Sequence, residues 1–419
     1  MKARHHVIVG NSAAAIGAVE GIRSVSGEDL VTVISAEPHH CYSRPLIAEL
    51  LAGELSPGDL GYRPADFYQA QGVRTLLGRR VEAVDAELHG VTLEDGEFIP
   101  YDRLLLATGS VPIRPDIADA DGPGVFVFNS IADAQALADA TRGTRRAVVA
   151  GGGLIGMKAA ESLHRRGLQV TVVELAPRLL SSAFDRAAGR LLAARAEAAG
   201  LRLVTDNAVV AVERKVGMVA GVRLADGSLL PADLLVLAVG VRPNLALAAG
   251  AGVHVNRGAL VDDQMLTSAP DVYAAGDVAQ GPELLSGEPR VLPLWPVACR
   301  QGQVAGTAMA GQPRDYPGGL AHNSLTLFGL CAMSAGRVEP EPGDTELAHG
   351  DGNGTYHKVL LRGDRLVGAC AVGAVDRFGI LTGLILDGQP CGFLRHSFPA
   401  FPVRLLSLPQ EYRLARLGG

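Results

Sequence analysis

The chain has 419 residues, 48% of them apolar, with 38 basic and 44 acidic side chains and a net charge of −6. That length exceeds one compact core and implies two or three domains. The longest apolar runs, such as LLVLAV at 234–239, fall far short of the roughly 20 residues of a membrane span. With lysine only at 2, 158, 215 and 358, there is no basic face for nucleic acid. Five cysteines, at 41, 299, 331, 370 and 391, form neither a CxxC pair nor a Cys/His cluster at metal spacing, so no metal site is expected. The chain passes from MKARHH straight into VIVG. That leaves no room for a cleavable leader, and a soluble cytoplasmic protein is expected.

In chain order, the first readable unit is HVIVGNSAAAIGAVEGIR, His6 to Arg23: an apolar strand, a turn of small residues and a helix. A second strand follows at VTVIS, 31–35, then alternating segments with an Asp95-Gly96 turn, and YDRLLLATG closes at Gly109. The pattern then repeats. AVVAGGGLIGMKAAESLHRRG, 147–167, leads into VTVVE ending at Glu174, alternating segments with an Asp226-Gly227 turn, and ADLLVLAVG closing at Gly240. Two versions of one dinucleotide-binding module are the simplest reading.

The warrant is phosphate chemistry. A GxGxxG turn between strand and helix lets the backbone approach a pyrophosphate and aims a helix N-terminus at its charge. The second copy has it intact as Gly151, Gly153 and Gly156, with Leu154 and Ile155 at the start of the helix. The first keeps only small residues, Gly10, Ser12 and Ala15, with Ala13 and Ala14 between. At the end of the second copy's second strand, Glu174 can accept from a ribose 2′-hydroxyl and would repel a 2′-phosphate, which favours NADH over NADPH. Arg178 stands nearby with the opposite sign. The first copy has Ser35 at that place, and its nearest carboxylate is Glu37.

TSAPDVYAAGDVAQ, 267–280, resembles the second flavin signature of the pyridine nucleotide-disulfide oxidoreductase superfamily, in which the aspartate beside Gly276, here Asp277, holds the ribityl chain of FAD. ATGSVPIRP, 107–115, and AVGVRPN, 238–244, resemble the family's two crossings between its FAD and NAD domains. The resemblance implies an α/β chain with two Rossmann-like dinucleotide-binding domains, glutathione-reductase-like, plus a C-terminal α+β interface domain. It divides the chain into an FAD domain of residues 1–113 and 245–315, an NAD domain of 114–244 and an interface domain of 316–419. FAD contacts are then expected from Gly10, Ser12, Ala13, Ala14, Ala15, Glu37, Arg44, Pro45, Val81, Ala107, Thr108, Gly109, Gly276 and Asp277. NADH contacts are expected from Gly151, Gly153, Leu154, Ile155, Gly156, Glu174 and Gly240. A helix starting near Pro296 would aim its N-terminus at the flavin, with Trp295 and Ala298 at the flavin edge; a core role for Trp295 is the alternative.

HHCYSRPLIAELLAG, 39–53, bears on the chemistry. Disulfide reductases of the superfamily use a CxxxxC pair, but Cys41 has Ala36 and Leu46 at the partner positions. Aligned on Gly53, the single-cysteine relatives would place their sulfur at Pro45. Cys41 is therefore expected to be a buried bystander. YSRPL resembles the rubredoxin and ferredoxin reductases and the nitrite reductase flavoproteins. These relatives carry a lysine and a glutamate where this chain has Glu49 and Lys158, so the charges exchange places and the two are expected to couple.

The resemblance implies an NADH-dependent FAD oxidoreductase that passes electrons to an external redox protein such as rubredoxin or ferredoxin. An NADH oxidase, a thiol or persulfide reductase of the coenzyme A disulfide type, and a redox-sensing or assembly subunit are the alternatives. A homodimer is compatible with each. HNSLTLFGLCAMSAGRV, 322–338, resembles the first strands of the interface domain, and 355–373 reads as a hairpin turning at Gly363-Asp364. The ending, 393–417, is rich in proline and apolar residues and is expected to pack on this chain or dock a partner.

Overall fold

A computed structural model describes residues 3–352 and 354–398, together with 408, 410 and 413. Most of the ending thus lies outside the described residues. The chain forms two compact units: residues 1–113, 129–134 and 241–320, and residues 114–128, 135–240 and 321–419.

The first unit is built on a five-stranded parallel sheet in the order Val272–Ala274, Arg103–Leu106, His5–Val9, Leu30–Ser35, Val73–Leu77. Its central strands are continuous apolar runs because both faces are covered. Ile8, Val31, Val33 and Leu105 face the helices Ala13–Arg23 and Trp295–Met309. Val7, Val9, Ile34, Leu104 and Leu106 face an antiparallel meander of Val81–Asp85, Gly90–Leu93 and Phe98–Pro100. The two helices cross backbone to backbone through glycine. A Cβ at Gly17 would lie 2.2 Å from the Cys299 carbonyl oxygen, and one at Gly302 would lie 2.0 Å from that of Ala14. Gly21 and Gly306, one turn further along, are equally confined, at 2.5 Å from Gln303 O and 2.3 Å from Ala18 O.

The second unit repeats the plan. Its parallel sheet runs Val125–Val127, Leu234–Leu237, Arg146–Ala150, Gln169–Val173, Arg202–Val204, and its meander is Val209–Lys215, Met218–Leu224, Leu229–Pro231. In each copy the closing strand pairs with the first, and the meander's first strand shifts register after its first residue, at Val81/Ala83 and at Val209/Ala211. Each also enters the closing strand through an aspartate that bonds back to the first strand. The Asp102 N–H donates to His5 O (2.8 Å) and its carboxylate accepts from the His5 N–H (2.7 Å). Asp233 does the same with Arg146, at 2.9 Å each. These details bear out the duplication read from the sequence.

The two segments read as crossings, Ser110–Pro112 and Val241–Pro243, pair antiparallel in the first unit. The second unit also carries an antiparallel sheet, His322–Leu327, Leu330–Gly336, Arg365–Val372, Tyr356–Arg362, Asp344–Gly350, covered by the helix Phe378–Asp387. A buried ion pair ties this sheet to the helix Arg186–Ala198: Lys358 Nζ lies 2.5 Å from Asp185 Oδ2, which also accepts from the Tyr356 hydroxyl at 2.7 Å. Asp185 Oδ1 meanwhile caps the helix through the Ala188 N–H. The burial of this pair is offset by further hydrogen bonds: Lys358 also donates to Val338 O at 2.6 Å. Among the described residues no helix is long and apolar enough to cross a membrane.

Candidate functional site

Both strand-to-helix turns have the geometry that a dinucleotide requires. Gly10 and Gly151 sit at φ 121° and 109°, a region open to glycine alone. Their N–H groups donate to Ile34 O and Val173 O, each at 2.8 Å. A Cβ there would lie 2.1 Å from Ala107 O and 2.3 Å from Ala238 O. The helices Ala13–Arg23 and Leu154–Arg165 follow extended Ser12 and Gly153, with no side-chain cap and no acid in the first turn. Their first N–H groups are thus left for an anion to complete. The copies differ at the third position. A Cβ on Gly156 would lie 2.0 Å from Gly151 O, whereas Ala15 carries a fully buried methyl.

In the first unit the fold gathers residues scattered over almost 300 positions. Gly276, at φ 82°, fits between the Ala14 and Ala298 methyls, where a Cβ would approach them to 3.2 and 3.5 Å. Beside it, Asp277 accepts from the Ser110 hydroxyl at 2.6 Å. Burial raises the Asp277 pKa, opposed by that hydrogen bond and by the Arg44 charge. Such a carboxylate gains from further hydroxyl donors. Arg44 forms an ion pair with Glu37 and donates to Asn129 O at 2.7 Å. Burial opposes its charge, but Tyr42, Glu37 and Asp277 more than offset this and raise its pKa. Glu37 also accepts from the Tyr42 hydroxyl at 2.7 Å. Two of its roughly four lone-pair positions are therefore engaged within the protein.

Pro45 lies in the short turn Arg44–Leu46. The Thr108 hydroxyl donates to Asn244 O at 2.9 Å, and Gly109 is at φ 66°. Trp295 opens its helix with Pro296 in the first turn, as expected, and meets Tyr62 edge to face at 4.8 Å. The Val81 side chain lies in the core, so what it offers a ligand is main chain. A cradle that any Cβ would fill, an uncapped helix end and a buried acceptor suit the pyrophosphate and ribityl parts of FAD.

Cys41 is 1% exposed and packs with Ala14, Phe67 and Tyr68. Its thiol lies 3.3 Å from His40 Nδ1, and burial pushes its pKa up against the weaker pulls of Tyr68 and Arg63. The thiolate, the form that redox chemistry requires, is thereby disfavoured. All five cysteines are free.

In the second unit the Glu174 carboxylate accepts from the N–H groups of Gly152 (2.6 Å) and Ala176 (2.8 Å), which fixes it on the glycine turn. Arg178 is committed elsewhere: to Phe184 O at 2.5 Å and to the Glu339 carboxylate at 2.7 Å. Leu154 is half-buried and Ile155 is 38% exposed at the helix start, and Gly240 is at φ 116°. Lys158 lies 2.8 Å from Glu161, which is 1% exposed and also receives Arg165 and the Phe328 N–H, both at 2.8 Å. Glu49 lies on the helix Ile47–Ala52 of the first unit.

Ser110, Tyr42 and Glu161 were not anticipated. Ser110 directly follows the closing glycine and Tyr42 precedes the Ser-Arg-Pro run, so proximity to a motif was the available signal. Glu161, one helical turn after Lys158, could have been found as an i,i+3 partner.

A profile of the pyridine nucleotide-disulphide oxidoreductase family matches residues 4–302, and one of the rubredoxin NAD+ reductase C-terminal domain matches 322–389. The NADH-dependent phenylglyoxylate dehydrogenase subunit epsilon of Aromatoleum evansii is 34% identical, covering 95% of each chain. The nitrite reductase [NAD(P)H] of Bacillus subtilis is 36% identical over 88% of this chain but only 45% of its own length, so this chain spans about half of that relative. A ferredoxin reductase from Rhodopseudomonas palustris superposes with a TM-score of 0.86 at 27% identity, covering 93% of this chain and 96% of that one. Paired dinucleotide turns, the acid beside Gly276 and the profile over most of the chain lead to one conclusion: it belongs to the pyridine nucleotide-disulphide oxidoreductase family, as an FAD-dependent NAD(P)H oxidoreductase.

Proposed function

We propose that the chain uses NADH to reduce FAD held in the first unit and passes the electrons to a small iron-sulfur protein of the rubredoxin or ferredoxin class. Bound flavin would supply what no side chain here can, a two-electron acceptor able to release electrons one at a time. The first turn and the helix Ala13–Arg23 would hold the pyrophosphate, Asp277 would orient the ribityl chain, and the N-terminus of Trp295–Met309 would offer its positive dipole end to the ring. In the second unit Glu174 takes the unphosphorylated ribose, and Arg178, bonded to Glu339, is not available to welcome a phosphate.

The observation that carries the reading is Cys41: buried, with a raised pKa and no thiol partner. Electrons therefore leave by a route other than a protein thiol, as the rubredoxin-reductase type of C-terminal domain also supports. The test is anaerobic reduction with NADH, followed by mixing with rubredoxin, a ferredoxin, oxygen, or coenzyme A disulfide and persulfide. Fastest transfer to an iron-sulfur protein is expected, and faster thiol-linked turnover would overturn it. A second reading, an electron-input subunit of a larger NADH-linked dehydrogenase, is favoured by the Aromatoleum relative, itself named as a subunit and matched over nearly its whole length. Co-purification of a stable iron-sulfur partner distinguishes it.

The coupling of Glu49 with Lys158 rests on sequence positions. A double-mutant cycle on the flavin reduction rate tests it, and additive effects would remove it. A cytoplasmic location completes the proposal, supported by five cysteines that remain free; cell fractionation checks it.

A further inference from the structure

The duplication exposes a difference in how the two turns are held. Ile34 and Val173 accept from the first glycine in each copy, so Ser35 is the counterpart of Glu174 and Asn11 that of Gly152. In the second unit Glu174 grips its turn through the Gly152 N–H. The first unit has no acid at that place, yet its turn is held more elaborately. The Asn11 amide donates from Nδ2 to His39 O at 3.0 Å, and its Oδ1 accepts from the Tyr68 hydroxyl. Tyr68 is 6% exposed, its ring packs on His40 at 4.9 Å between centroids, and its hydroxyl also meets the Cys41 thiol.

We infer that Asn11 and Tyr68 are positioning residues for FAD, a side-chain clamp that replaces the carboxylate grip of the second unit. The replacement has a chemical consequence. Glu174 occupies the Gly152 N–H, whereas among the described residues no protein group accepts from the Asn11 N–H. The clamp fixes the first turn while leaving that donor for a phosphate oxygen. The first turn thus offers a pyrophosphate one more preoriented N–H than the second. One turn suits a cofactor that stays and the other a nucleotide that exchanges.

The inference rests on FAD occupying the first unit. Its test uses the full chain stripped of flavin, with FAD titrated by quenching of flavin fluorescence into wild type, Tyr68→Phe, Asn11→Ala and the double variant. Loss of one buried hydrogen bond should weaken FAD binding about tenfold in either single variant. The double variant should be little worse than either, because both remove one clamp. NADH affinity should stay at the wild-type value, and the loss of FAD binding should exceed what any fall in apoprotein melting temperature accounts for, which a general packing role would not allow. Wild-type apoprotein that takes up no FAD would overturn the cofactor reading as well. Wild-type uptake with an unchanged constant in Tyr68→Phe, additive effects in the double variant, or weaker binding in step with a lower melting temperature would overturn the clamp alone.

Discussion

Replacing Gly302 by alanine adds one methyl group where there is no room for it. The new Cβ would sit 2.0 Å from the Ala14 carbonyl oxygen and 3.0 Å from its Cα, where ordinary contact is 3.4–4 Å. The obstacle is backbone, so no side chain can swing aside and the helices must part by more than an ångström. Gly17, Gly21 and Gly306 hold the same interface at 2.2 to 2.5 Å, so the separation propagates along its length. Overpacking of this kind costs about 3 kcal/mol, and the better helix propensity of alanine returns about 1 kcal/mol. The net loss of about 2 kcal/mol should lower the melting temperature by about 4–8 °C for a unit of this size. Because Ala14 also borders Gly276 and Ala298 at the flavin cradle, the variant should purify with less FAD. The assays are the visible-to-ultraviolet absorbance ratio after gel filtration and a thermal scan that follows flavin release. Gly250→Ala is the control: Gly250 ends the helix Ala246–Gly250 and a Cβ there meets nothing within 4 Å. A Gly302→Ala protein with full flavin content, melting within about 1 °C of wild type, would refute the reasoning.

Asp277→Asn should weaken FAD binding without destabilising the apoprotein. The raised Asp277 pKa means that its stabilising contribution is complete below the unfolded carboxylate range and is lost as pH rises through the folded value. The stability of wild-type apoprotein relative to the variant should therefore grow as the pH falls through the raised folded value toward the ordinary carboxylate range; equal pH profiles would contradict this. Glu174→Ala should narrow the kcat/KM preference for NADH over NADPH about tenfold, the worth of one charge-assisted hydrogen bond. Arg178→Ala should leave that preference unchanged, and a reversal of these two results would reassign the selectivity. Cys41→Ser should take up the same electrons per FAD as wild type in an anaerobic NADH titration. Two extra electrons in wild type, or a thiolate-to-flavin absorption band absent from the serine variant, would make Cys41 a redox centre.

The duplicated sheets were legible because each copy repeats the same local instructions: apolar strand, glycine turn, helix, Asp-Gly turn, closing strand. The start of the helix at Trp295 was legible through Pro296, and the C-terminal hairpin through Gly363. The residues that Asp277 and Arg44 engage were not. Ser110 lies 167 positions from Asp277, and Asn129 acts through its carbonyl, which any residue could supply. Asn11 reads as an ordinary turn residue until Tyr68, 57 positions away, is brought to it. The glycines of the helix crossing were written in plain sight at four-residue spacing, but only the packing tells which glycines serve a turn and which an interface.

The first unit's discontinuity governs how the protein is made. Its strands through Leu106 emerge early, but the edge strand Val272–Ala274 and the covering helix Trp295–Met309 come only after the whole second sheet. At about 5–20 residues per second of synthesis, the helix Ala13–Arg23 waits about 15–55 s for its glycine-matched partner. Meanwhile Val125 to Leu237 arrives as one stretch and can close its sheet at once. Translation therefore completes the parallel sheet of the second unit before that of the first, which stays open until its edge strand and covering helix arrive. Flavin starvation should accordingly yield chains whose second unit resists protease while the first is degraded.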